Sequence, residues 1–227
     1  ELKKARHYIF LEYFIIQEGK MWNTILDILR QKAAEGVDVR VIYDDAGCLS
    51  LLPHNYAEMM RADGIRAFSF NRCVPMLNLV MNNRDHRKIM VIDGKVGFTG
   101  GYNLADEYFN ITHPYGYWKD TGVKLTGRAV QNFTMMFLEM WNVMGQADTD
   151  YEKYLKASQE GAEDGNLQKA SGYVQPYADS PLDGEPVGEN VYLNLIKTAK
   201  KRLYVATPYL IISDEMTREL GLAASHA

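Results

Sequence analysis

The feature that most constrains this chain is a change of hydrophobic period that occurs twice in its first third. Residues 6–16 (RHYIFLEYFII) are rich in β-branched and aromatic side chains and read as a buried strand. Trp22, Ile25, Leu26 and Leu29 then recur at helical spacing, so residues 20–35 read as an amphipathic helix that Gly36 ends. Residues 37–43 return to alternation and stop at Asp44-Asp45-Ala46-Gly47. A second helix over 54–62 stops at Asp63-Gly64, and residues 65–70 read as a third strand. Strand, helix, strand, helix, strand is the order of an α/β layer structure, in which helices cover the faces of a sheet. Residues 87–92 and 96–99 flank Asp93-Gly94, the signature of a hairpin. Residues 118–125 read as a further strand. Residues 129–144 read as a helix with Phe133, Met136, Phe137, Met140 and Trp141 on one face, a stripe typical of core. The expectation is a mixed sheet between helical layers.

Residues 147–190 change character, with Asp, Glu, Gly, Ser and Pro clusters. They read as a linker with one short strand near 173–175. An internal repeat follows. At a constant offset of 196, Lys4, Arg6, Tyr8, Tyr13, Ile15 and Ile16 meet Lys200, Arg202, Tyr204, Tyr209, Ile211 and Ile212. The expected organisation is a complete catalytic repeat over 1–146, a linker over 147–190, and over 191–227 the start of a second repeat, truncated after its first strand and helix.

Net charge is −4, which speaks against binding nucleic acid by phosphate neutralisation. Cys48 and Cys73 are too few for a disulfide framework and read as reduced thiols. No apolar run approaches the ~18 residues of a membrane span. The chain opens on Glu1 rather than methionine, so the lack of a signal or anchor says little about a longer product.

The chemistry concentrates in residues 84–103, RDHRKIMVIDGKVGFTGGYN. His86 and Lys88, two apart on a strand, leave the same face. Asp93-Gly94 reverses the chain, and the returning strand brings Gly100, Gly101 and Asn103 beside the start of the first. The two glycines are expected to leave backbone N–H groups open to an anion. An imidazole, an ammonium, a carboxamide and open amides suit phosphodiester chemistry without a metal. His86 attacks phosphorus, and Lys88 and Asn103 meet the charge on the phosphoryl oxygens. A carboxylate must hold the imidazole Nδ1–H, and Asp120 is the candidate. Asp93 is expected to cap the hairpin turn. His7, His54, His86, His113 and His226 form no helical pair and no cluster at ligand spacing, so neither metal nor cofactor is expected.

The pattern His86-x-Lys88-x4-Asp93-x6-Gly100-Gly101-x-Asn103 resembles the HKD signature of the phospholipase D superfamily. The flanks Leu11-Glu12-Tyr13, Val39-Arg40-Val41, Asn83-Arg84-Asp85-His86-Arg87-Lys88 and Trp118-Lys119-Asp120-Thr121-Gly122 are most similar to bacterial cardiolipin synthases. The resemblance implies a phospholipase D-like α-β-α sandwich with His86 as nucleophile, Lys88 and Asn103 as phosphate-binding pair, Asp93 as the motif acid and Asp120 as the acid orienting the histidine. It implies phosphatidyl transfer onto phosphatidylglycerol, giving cardiolipin, by a membrane enzyme whose site faces the cytoplasm. A phospholipase D-type hydrolase, or a dimeric phosphodiesterase or nuclease with one motif per chain, shares the same residues. Two such halves form one site in the family. The repeat places the second histidine near position 282, beyond Ala227. The partner histidine is therefore expected from the rest of a longer chain or from a second copy, and this chain alone is expected to be inactive. Phe14, Trp22, Tyr102, Tyr108, Phe109, Tyr115, Tyr117 and Trp118 are candidate interfacial aromatics, and the loop 108–118 is expected to line the lipid entry.

Overall fold

A computed structural model of the chain describes residues 1–73, 83–145, 147–159, 173–179, 184–207 and 210–225. They form two compact units, Glu1–Pro176 and Tyr177–Ala227. In chain order the first unit holds β1 (Tyr8–Tyr13), α1 (Lys20–Ala34), β2 (Asp38–Asp44), the single turn α2 (Asp45–Cys48), α3 (Tyr56–Ala62) and β3 (Arg66–Phe70). There follow β4 (Lys88–Ile92), β5 (Val96–Gly100), β6 (Gly122–Thr126), α4 (Val130–Val143) and α5 (Tyr151–Gln159). One sheet runs β3-β2-β1-β4-β5-β6. β1, β2 and β3 are parallel, whereas β4, β5 and β6 join antiparallel. This is the mixed α/β architecture expected.

All six residues of β1 are buried, because helices cover both faces of the sheet at its centre. On one face Leu11 and Tyr13 pack with Trp22, Leu26 and Leu29 of α1 and with Tyr56 and Met60 of α3. On the other, Tyr8 and Phe10 pack with Phe133, Phe137 and Trp141 of α4 and Tyr154 of α5. The methionine and aromatic stripe of α4 is indeed core. The β4–β5 half of the first face also borders an apolar cavity of about 630 Å³, lined by Met21, Ile25, Met90, Ile92, Phe98 and Tyr102 among others.

Four expectations need correction. The last strand begins at Gly122 rather than Trp118, so Asp120 lies in the loop before it. The span 147–190 is not simply a linker: α5 lies inside it, and its Tyr154 and Ala157 are buried in the core. Apolar spacing in YEKYLKASQ is sparse, and it is α4, the buried Arg40 and the Tyr8 and Phe10 rings of β1 that give that helix a surface to cover. Residues 173–175 form no strand. In the second unit the described residues of 201–212 form no strand either, although helices α6 (Val187–Thr198) and α7 (Asp214–Ser225) flank them. Tyr204 is 83% and Ile211 91% exposed. A strand needs a hydrogen-bonded neighbour, and the described residues of this unit offer none. Tyr209, a member of the repeat, lies outside the described residues, as does His226. In the repeat register α7 falls over positions 18–29, overlapping α1.

Candidate active site

Strand direction decides where the motif meets. Parallel β1 and β2 end together at Tyr13 and Asp44. β4 runs the other way, so its first residue Lys88 lies opposite Tyr13. β5 ends at the same edge with Gly100, which lies opposite Gly122, the first residue of β6. His86, Lys88, Gly100, Gly101, Asn103 and Asp120 are thereby gathered at the carboxyl edge of the parallel strands, where open α/β sheets place their ligand sites.

The Phe14-Ile15 segment just beyond β1 links the three central residues. The His86 ring lies 4.8 Å from the Phe14 ring, centroid to centroid. Lys88 Nζ lies 5.4 Å from the same centroid and donates to the His86 carbonyl oxygen at 2.7 Å. Asn103 is buried, and its Oδ1 accepts the Ile15 N–H at 3.0 Å. That bond fixes the carboxamide and leaves its NH₂ group without a hydrogen-bond partner among the described residues. His86 itself is exposed.

Electrostatics suit a nucleophile and an anion clamp. Partial desolvation by its neighbours first, and the Lys88 charge second, hold the His86 imidazole below its ordinary value. At neutral pH the ring is therefore mostly uncharged, with a lone pair to offer. Lys88 is only 5% exposed. Burial pulls its ammonium down to about 8 against the attraction of Asp85, Asp120 and Asp44. A desolvated cation of this kind gains most from an incoming phosphate.

Asp93 is not in this group. It sits at the opposite end of β4, five residues from Lys88, a separation of about 16 Å along a strand. Its buried carboxylate accepts the N–H groups of Arg6 (2.9 Å), His7 (2.8 Å) and Tyr8 (2.9 Å). It also occupies the turn Ile92–Lys95, where Asp93 (φ 52°) and Gly94 (φ 63°) both take positive φ. The turn role expected of it holds, and its carboxylate clamps the entry to β1.

Gly100 and Gly101 serve close packing rather than open amides. The Gly101 N–H already donates to the Thr121 carbonyl at 3.1 Å. A Cβ at Gly100 would lie 2.4 Å from the Thr121 carbonyl oxygen, and one at Gly101 2.4 Å from Asp120 Oδ1. The glycines let the 120–122 segment press against β5.

The hydrogen bonds of the Asp120 carboxylate are to its own loop. Its Oδ1 accepts the Thr121 N–H at 2.7 Å and its Oδ2 the Trp118 indole N–H at 3.1 Å. Its charge acts on Lys88, whereas the acidic group acting on His86 is Asp44. Trp22, a candidate interfacial aromatic, is core, with its indole donating to Tyr56 at 2.6 Å. Tyr115 (79%) and Tyr117 (80%) are exposed, beside the edge-to-face Tyr108–Trp118 pair.

Sequence reasoning missed a buried charged group beneath the site: Glu12, Asp44 and Asp85, together with the half-buried Arg84 and Arg87. Asp44 caps α2 by accepting from Ala46 and Gly47, and also holds Arg84 Nη1 (3.2 Å) and the Asp85 N–H (2.9 Å). One signal was available: Glu12 is the only charged residue in the apolar run 8–16.

Residues 1–141 match the family model described as the PLD-like domain of cardiolipin synthase. The chain is 50% identical over 226 residues to an uncharacterized protein of Streptococcus mutans, covering 99% of this chain and 47% of that protein. It is 38% identical over 224 residues to a cardiolipin synthase of Alkalihalophilus pseudofirmus, covering 98% of this chain and 43% of that one. It thus spans about half the length of the curated relatives it matches. Among solved structures, phosphatidylserine synthase of Haemophilus influenzae has the same fold, with a TM-score of 0.65 at 16% identity over 99% of this chain and 55% of that one.

Proposed function

We propose a function from one premise: this chain belongs to the cardiolipin synthase family of phospholipase D-like domains. The protein is a phosphatidyltransferase that makes cardiolipin from phosphatidylglycerol through a covalent phosphohistidine on His86. The observation that carries the reading is the grouping at Phe14. An exposed, largely neutral imidazole has its backbone carbonyl gripped by a buried ammonium, and beside them a carboxamide is held by Ile15 with its NH₂ available.

A His86 ring nitrogen gives its lone pair to phosphorus, and the bond from phosphorus to the leaving glycerol oxygen breaks. Lys88 and Asn103 meet the charge on the non-bridging oxygens, so the step calls for no metal. The leaving alkoxide takes a proton from a second histidine, supplied by the other half of the full-length protein or by another copy. The same histidine then deprotonates the incoming hydroxyl, which attacks phosphorus and releases His86. Two in-line displacements give net retention at phosphorus. Asp120 serves the site through Lys88 and the Trp118 loop.

The substrate is a phospholipid at the membrane surface, with the site on the cytoplasmic side. The exposed rings of Tyr115 and Tyr117 suit a lipid interface. No helix among the described residues is long and apolar enough to cross a membrane.

The test is to incubate the intact protein with labelled phosphatidylglycerol. Cardiolipin and glycerol are expected, with a chelator present or absent, together with an acid-labile phosphoenzyme. His86→Ala should abolish all three. Cardiolipin formation by His86→Ala, or its loss on chelation, refutes the reading.

A further inference from the structure

The two neighbours of His86 converge on one buried group. Arg87 Nη1 lies 3.4 Å from Oε1 of Glu12, a fully buried residue of β1, and its Nε lies 3.9 Å from Asp85 Oδ1. The Arg87 backbone N–H also donates to Asp85 Oδ1 at 3.2 Å, and the Asp85 N–H is anchored on Asp44 Oδ2 at 2.9 Å. His86 is therefore held through both residues that flank it.

The carboxyl groups of this cluster do not balance as anions. Both Glu12 oxygens and Asp85 Oδ2 are buried without a hydrogen-bond partner among the described residues. Glu12 and Asp85 act on each other and share the single guanidinium of Arg87. Lys88 also attracts Asp85, but it divides that attraction with Asp44 and Asp120, so two desolvated carboxylates around Arg87 leave a buried negative charge in excess. Two ionised carboxylates are also acceptors only, so they can bond to each other only when one carries a proton. A single proton turns two of these three orphaned oxygens into a donor–acceptor pair.

We propose that Glu12 and Asp85 hold one proton between them, and that this neutral–anion pair, closed by Arg87, is the positioning device for His86. The proposal rests on the reading of His86 as nucleophile. The other charged groups acting on the pair are Asp44 at the end of β2, Glu139 of α4 and the Lys88 ammonium, which attracts Asp85. The two acids disfavour loss of the proton, and Lys88 opposes them from beside Asp85. Lys88 lies opposite Tyr13 in the sheet, one residue along from Glu12. Burial raises the Glu12 carboxyl well above the ordinary carboxylate range, in keeping with the same charge state.

The test compares Glu12→Gln, Glu12→Ala and Asp85→Asn in the intact protein. Gln permanently mimics the protonated acid, because its NH₂ donates to Asp85. Glu12→Gln should keep kcat close to wild type. Glu12→Ala should lower kcat by about a hundredfold with KM unchanged, the cost of a nucleophile displaced by about an ångström. An infrared difference spectrum should show a protonated-carboxyl C=O band in the wild type at neutral pH, absent from Glu12→Gln and Asp85→Asn. That band is independent of turnover, so it decides the shared proton even if Glu12→Ala fails to fold. A wild type without the band, or a Gln variant as impaired as Ala, overturns the proposal. His86→Ala, run in parallel, tests the nucleophile separately: full activity there sinks the functional reading and leaves the band to judge the proton.

Discussion

Replacing Asp93 by alanine should unfold much of the first unit's stability without touching the chemistry. The carboxylate accepts three backbone N–H groups at the mouth of β1, and only the bond to Tyr8 is fully buried. Hydrogen bonds to a charged acceptor contribute roughly 1.5–3 kcal/mol when desolvated and about 1 kcal/mol when partly wet. The three together are worth about 4 kcal/mol. Alanine also has to hold the positive φ of 52° that Asp tolerates better, which adds about 1 kcal/mol. The expected loss is about 5 kcal/mol, against roughly 5–15 kcal/mol for a typical domain. Asp93→Asn keeps one carbonyl oxygen for His7 and Tyr8 and keeps the turn preference, so it should lose about 2 kcal/mol. Urea unfolding is the assay, read by the fluorescence of Trp22, Trp118 and Trp141, all within the first unit. A loss below about 1 kcal/mol for Asp93→Ala refutes the clamp. A variant as stable as wild type yet inactive would return Asp93 to the chemistry.

The pH dependence of kcat/KM should be bell-shaped. The rate rises as His86 loses its proton below the ordinary imidazole value and falls as Lys88 deprotonates near 8. Lys88→Arg should move the alkaline limb outward at reduced rate, and an unchanged limb in that variant argues against Lys88. Gly101→Ala should destabilise by about 1–3 kcal/mol, because its Cβ meets Asp120 Oδ1 at 2.4 Å; thermal unfolding, with Trp118 emission as local probe, checks it. Arg40→Met should cost about 3–5 kcal/mol, because Arg40 is fully buried and bonds Asp38 at 2.7 Å and Asp148 at 2.6 Å. Burial pushes the Asp148 carboxyl up, but hydrogen bonds from Tyr154, Arg40 and Lys153 outweigh it and hold it well below the ordinary range. That stabilisation is present above the ordinary carboxylate value and lost as pH falls below it. The gap between wild type and Arg40→Met should therefore narrow in acid, and a gap independent of pH contradicts the assignment.

How far the site could be read in advance depended on the distance over which each contact acts. His86 and Lys88 sit two apart on an extended segment, so their shared side of the sheet follows from strand geometry alone. The turn role of Asp93 was legible for the same local reason, but its bonds to Arg6, His7 and Tyr8 span more than eighty positions and left no trace in the motif. The glycines were read as open amides because their neighbours in space, Asp120 and Thr121, arrive only when β6 pairs with β5. Helix α5 escaped notice because its apolar spacing is sparse and its stability comes from α4, Arg40 and the Tyr8 and Phe10 rings of β1.

Local periodicity and turn chemistry determined the alternating elements, the hairpin at Asp93-Gly94 and the spacing that presents an imidazole and an ammonium together. These depend on backbone geometry within a few residues, which any chain carries in its order of side chains. Strand order and direction were decided only in three dimensions. They bring the end of β1 to the start of β4, bury Glu12 against Asp85 and Arg87, and separate Asp93 from His86 by the length of a strand. Burial and charge are properties of what surrounds a group, so the protonation of His86, Lys88 and the Glu12–Asp85 pair belongs to the packed fold.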